Sequence, residues 1–108
     1  MSIHWWALLG AGLLEVAWAA GFKFAFRDDH VVTSATLAAM VASFWLLSVA
    51  MRALPVGTAY AIWTGIGAVG AALVGIVFLK EPATALRIAS VTAIVGGVIG
   101  LKLSAGAA

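Results

Sequence analysis

Apolar positions run along this chain in four long blocks, with polar residues confined to the short gaps between them. The first block extends from about Ile3 to Phe22, before Lys23 and Arg27. The second extends from about Val31 to Met51 and stops at Arg52. The third extends from about Val56 to Leu79, before Lys80-Glu81-Pro82, and the fourth from about Leu86 to Leu103. A bilayer core of about 30 Å is crossed by about 20 apolar residues in a helix, so each block predicts one transmembrane helix. The gaps predict tight turns at Arg27-Asp28-Asp29-His30, at Arg52-Ala53-Leu54-Pro55 and from Lys80 to Thr84. Thr33 or Ser34 is expected to cap the second helix and Thr84 the fourth. Pro55 suits the first turn of the third helix, where its missing N–H costs nothing. The expected fold class is an all-α membrane protein, with residues 1–108 forming a single domain of four transmembrane helices. Turns this short leave no room for a soluble domain, which puts the function within the bilayer.

Composition agrees with lipid as the solvent. The chain is 65% hydrophobic and 9% charged, against about 45–50% and about 25% in soluble domains. With no cysteine, disulfides and thiolate metal sites are excluded. His4 and His30 lie far apart in sequence, and neither a metal nor a cofactor is expected. No basic stripe points to nucleic acid. Met1-Ser2-Ile3-His4 lacks a basic n-region and Glu15 interrupts the first apolar block, so cleavage as a signal peptide is not expected. Lys23, Arg27, Arg52, Arg87 and Lys102 read as helix-end anchors that reach for the interface, and Asp28, Asp29 and Glu81 as solvated loop residues.

Orientation is weakly encoded. Lys23, Arg27, Lys80 and Arg87 fall on one side, and Arg52 and Lys102 on the other, the side of both termini. Four cations against two is a thin margin for the positive-inside rule, and it permits insertion both ways. Four helices also supply few walls for a solute pathway, so a homodimer of eight helices is expected. Mixed insertion would make that dimer antiparallel, with dual topology, and would reproduce the inverted repeat of larger transporters.

Glu15 is the one acid well inside a predicted span. An ionisable residue at that depth costs about 2.5–3.5 kcal/mol or more on insertion scales, and such residues mark ion and substrate pathways. A buried carboxylate can hold a proton or a cation but is disfavoured standing empty, and two copies in one dimer cavity would titrate as a coupled pair. Trp18 lies on the same helical face, three residues on, with Gly12 and Ala11 on that face one turn back. Its indole N–H is placed to donate to the carboxylate. In the third helix Tyr60 and Trp63 share a face; Tyr60 is expected to hydrogen-bond Glu15, and Trp63 to offer a π-face to a cation. Ser43 is a further polar candidate, with Ser48 and Thr64 behind it.

The run Gly65-Ile66-Gly67-Ala68-Val69-Gly70 spells GxGxxG. A nucleotide loop needs a strand before it, and an apolar helix surrounds this one, so Gly65 and Gly67 read as a hinge or close-packing positions. Gly96 and Gly100 form a GxxxG pair with Gly97 beside them. That helix carries no acid and reads as the dimerisation helix.

Leu14-Glu15-Val16-Ala17-Trp18-Ala19 and the stretch from Pro55 to Ala71 (PVGTAYAIWTGIGAVGA) strongly resemble the bacterial small multidrug resistance family, and the resemblance extends over nearly the whole chain. Within it, the AIWTGIGA run and the tryptophan three residues after the glutamate are similar to the guanidinium-exporter branch. The resemblance implies an antiparallel homodimer in the bacterial inner membrane that exchanges protons for guanidinium. It implies that Glu15 binds proton and substrate in turn, and that Trp18, Ser43, Tyr60 and Trp63 line the site. Guanidinium chemistry fits such a site: a planar cation whose N–H donors match carboxylates bidentately. On this reading Trp18, Ser43 and Tyr60 fix the carboxylates and Trp63 covers the cation. Three rivals stand beside it: a broad exporter of quaternary ammonium or aromatic cations, a non-transporting partner subunit of a heterodimer, and a passive channel, which a titratable trap at mid-membrane disfavours.

Overall fold

The computed structural model describes residues 2–105. Four helices follow in order: α1 (Ile3–Gly21), α2 (His30–Ala50), α3 (Val56–Phe78) and α4 (Ala85–Ser104). At about 1.5 Å per residue, their 19 to 23 residues are each long enough to cross a bilayer, and each is apolar enough to do so. Val41, Val77 and Leu86 are among the large apolar side chains left exposed on them, as lipid contact requires.

The turns are built differently from the expectation in several places. Asp29, not Thr33 or Ser34, caps α2: its Oδ1 accepts from the Val31 N–H at 2.9 Å and the Val32 N–H at 3.2 Å. Asp29 precedes the helix by one residue, where its side chain reaches the free N–H groups; Thr33 already lies inside the first turn. Thr33 instead ties the turn together, its Oγ1 accepting from the Phe26 N–H at 2.8 Å and donating to the Asp29 carbonyl at 3.2 Å. Glu81 is likewise not a free loop acid but pairs with Arg87. Lys80 there adopts a left-handed φ of 56°, which turns the Glu81 N–H back onto the Gly75 carbonyl at 3.0 Å. Thr84 caps α4, accepting from the Arg87 N–H at 3.2 Å. Pro55 occupies the cap before α3 rather than its first turn.

The molecule is a slab of 45 × 35 × 18 Å rather than a round bundle. α1 sits in the middle, packed against α2 and α3, while α4 lies along α3 alone. Lipid gives apolar helices no hydrophobic reason to associate, so contact depends on close approach of small residues. The α1–α3 seam supplies it. Ile66 fills the space a Cβ would need at Gly12, and Val16 the corresponding space at Gly70. Trp5, Leu8, Ala11, Leu47, Ala50, Leu54, Ala59, Ile62 and Trp63 form the core where α1, α2 and α3 meet. No residue of α4 is fully buried. Its far end is tied across to α1 by Lys102, whose Nζ lies 4.4 Å from the Trp5 ring centroid.

Candidate functional site

The site begins with a notch in α3. Gly67 faces α1, and the Glu15 carboxyl group lies in the volume where a side chain at 67 would start. One turn earlier on α3 is Trp63, buried; one turn later on α1 is Trp18, half-buried. Their rings are 6.5 Å apart, so the two indoles meet beside the acid. Tyr60 adds a ring 5.5 Å from Trp63. The structure thus brings Glu15, Trp18, Tyr60 and Trp63 to one region from two helices.

Their hydrogen bonds differ from the expectation. Within the described residues, Glu15 Oε1 and Trp18 Nε1 are both buried without a hydrogen-bond partner. The expected Trp18-to-Glu15 bond is therefore not made inside one chain. Tyr60 is 52% exposed. It makes no side-chain bond to the acid among the described residues, because its ring stands on the open side of α3. Buried polar atoms are nearly always paired, so two unpaired ones in one region mark a place where a further group belongs.

Ser43 also works otherwise than expected. It is fully buried, donates from Oγ to the Ala11 carbonyl at 2.7 Å and accepts from Trp63 Nε1 at 3.0 Å. One hydroxyl therefore joins α1, α2 and α3, and it orients Trp63 rather than the carboxylate. The reason is placement: Ser43 meets α1 at Ala11, one turn before Glu15. Ser43→Ala is expected to leave the Trp63 indole N–H unpaired and to lower stability by about 1 kcal/mol, the scale of interhelical hydrogen bonds in membranes. Thermal unfolding in detergent measures the loss, and Trp63 emission should shift with it.

Phe44 is a site residue the sequence did not announce. Its ring lies 5.7 Å from Trp63 and 6.0 Å from Trp18, closing the third side of the aromatic cluster. The one available signal was its position next to Ser43. Ser48 and Thr64 bond their own helix backbones, at Trp45 and at Tyr60 and Ala61. Gly65 and Gly67 lie within an unbroken helix, and Val98 of α4 fills the notch at Gly65. Gly96, Gly97 and Gly100 face open space. Among the described residues no three His, Cys, Asp or Glu side chains converge as a metal site would need.

Residues 3–106 match the family described as Small Multidrug Resistance protein. The chain belongs to the small multidrug resistance family. Three relatives illustrate the likeness, each named a guanidinium exporter. One from Citrobacter freundii is 57% identical over 94% of this chain and 98% of its own. One from Salmonella typhimurium (strain LT2) is 59% identical over 95% and 99%. One from Escherichia coli (strain K12) is 56% identical over 94% and 98%. This small multidrug resistance protein is accordingly a multi-pass protein of the bacterial inner membrane.

Proposed function

We propose that this chain exports guanidinium in exchange for protons, by alternating access, as an antiparallel homodimer. The observation that carries the reading is the half-buried Glu15 carboxyl group, seated in the Gly67 notch with one oxygen buried and unpaired, in the region where the indoles of Trp18 and Trp63 meet. Relatives at 56–59% identity named guanidinium exporters supply the cargo. The chain is a transporter and not an enzyme.

The chemistry follows from the residues. Guanidinium is planar, with N–H donors that meet carboxylates in pairs. Two Glu15 side chains, one from each subunit, engage it from opposite edges, while the indole of Trp63 covers its face. Trp18 has a free indole N–H for the pair, Tyr60 is exposed on the open side of α3 where a second subunit would meet it, and Ser43 acts one step back by fixing Trp63. When the cation leaves, protons take its place, because a bare carboxylate in a low-dielectric cavity is the costly state. Binding of either ion thus excludes the other, and the exchange is coupled.

The dimer is supported by α4, which has no fully buried residue in its own chain and turns Gly96, Gly97 and Gly100 outward. Such a small-residue face is the usual helix-to-helix contact in lipid. Gly65 and Gly67 would let α3 bend as the cavity changes sides.

The test is electrical. Two protons exchanged for one monovalent cation would move net charge, so the purified chain in liposomes is expected to give a current when perfused with guanidinium. Response to tetrapropylammonium alone would make it a broad exporter of bulky cations instead. Silence to both would point to a subunit that needs a second chain.

A further inference from the structure

A row of aromatic rings leads away from the Glu15 site toward one membrane face. Tyr60 and Trp63 are 5.5 Å apart, Trp63 and Trp18 6.5 Å, and Trp18 and Phe22 5.5 Å, edge to face. Phe22 then stacks on Phe26, with centroids 6.2 Å apart and planes 24° from parallel. A cation is attracted by a ring within about 6 Å of its centroid, so each ring hands over to the next. Three of these rings belong to the site described above. Phe22, the cap of α1, and Phe26, in the α1–α2 turn, do not, and both are exposed at the outer end of the row.

The placement of Phe26 is unusual. Its φ is 62°, a left-handed conformation that bulky residues avoid and that persists only where the surroundings enforce it. Thr33 enforces it here by accepting the Phe26 N–H. The left-handed residue closes the helical turns that continue past α1 to Ala25, and Phe26, four residues after Phe22, stacks on its ring there. The same turn already seats a guanidinium on a phenyl ring: the Arg27 Cζ lies 5.8 Å from the centroid of Phe24. The charges at that end are mixed: Lys23, Arg27, Lys80 and Arg87 stand with Asp28, Asp29 and Glu81, and Glu81 is paired with Arg87. Two π-faces there offer an organic cation a foothold of a kind those charged groups do not supply.

We propose that Phe22 and Phe26 extend the cation route from the Glu15 site to the membrane face at the α1–α2 turn, and select for weakly hydrated organic cations on the way. The inference rests on the export reading given above. It assigns these two phenyl rings a share in specificity that composition alone would credit to membrane anchoring.

Guanidinium-evoked currents in proteoliposomes, over a concentration series, test it with Phe22→Leu, Phe26→Leu, the double variant and Phe26→Tyr. Leucine keeps the apolar surface and, at position 26, the same backbone strain. Each leucine variant is expected to lower kcat/KM about two- to fivefold, mainly through KM, by the strength of an exposed cation–π contact. The double variant should lose about the product, and Phe26→Tyr should behave as wild type. A double leucine variant with unchanged kcat/KM overturns the inference while leaving export intact. A tyrosine variant as impaired as leucine also overturns it, by making the role structural. A wild-type chain silent to guanidinium removes the export reading, and this inference with it.

Discussion

Glu15→Gln is expected to abolish guanidinium-driven current and to uncouple the protein from a proton gradient. Glutamine is nearly the same size, so the fit against Gly67 survives and the helices should pack as before. What disappears is the ionised form. The amide can neither trade a proton for a cation nor present two acceptor oxygens to a guanidinium edge. Removing one partner of a buried ion pair costs about 3–5 kcal/mol, and each 1.36 kcal/mol is one decade. The loss should therefore reach roughly two to four orders of magnitude. Currents from matched amounts of wild-type and variant protein in the same lipid measure it, and gel filtration establishes that assembly is unchanged. A variant that still couples transport to a proton gradient would sink the proposed mechanism.

Gly67→Ala should separate stability from function. A methyl group there would overlap the end of the Glu15 side chain, whose carboxyl group and Cγ are the atoms nearest to it. The carboxyl group is the free end of a flexible side chain, so it can swing aside cheaply. Alanine also favours the helix over glycine by about 1 kcal/mol. Thermal stability is therefore expected to hold within about 1 kcal/mol of wild type. Transport should not hold, because the acid has been moved from where its neighbours can use it. Misplacing a reacting group by about 1 Å can cost about 100-fold, and a loss of roughly tenfold to 100-fold in kcat/KM for guanidinium is expected here. Paired melting and flux measurements check both halves. Unchanged flux would mean that Glu15 does not act from the Gly67 notch.

The four helices were legible because lipid demands about twenty apolar residues in a row, and few arrangements other than a spanning helix satisfy that. Glu15 was legible for the complementary reason: an acid within such a run has to be explained. Partner choice was harder to see. A helix apolar on every side carries no stripe to say which face is inward, so nothing in α2 announced that Ser43 meets Ala11 or that Phe44 closes the aromatic cluster. The Asp29 cap was obscured by a run of competent residues, Asp28, Asp29, Thr33 and Ser34, among which only the backbone's entry into the helix decides. Trp18 shows a different limit. Three-residue spacing puts it on the face of Glu15, but spacing does not say where an indole N–H points, and among the described residues it finds no partner.

The seam between α1 and α3 is toothed on both sides: Ile66 enters α1 at Gly12, while Glu15 and Val16 enter α3 at Gly67 and Gly70. Teeth set in opposite directions fix the lengthwise register of two rods. A ratchet of one helix past the other by a turn, one known way for packed elements to switch, would have to lift every tooth at once. What the geometry leaves free is rocking about the seam and bending along it. Any cycle that carries Glu15 from one side of the membrane to the other must therefore be a change of tilt, with acid and notch travelling together.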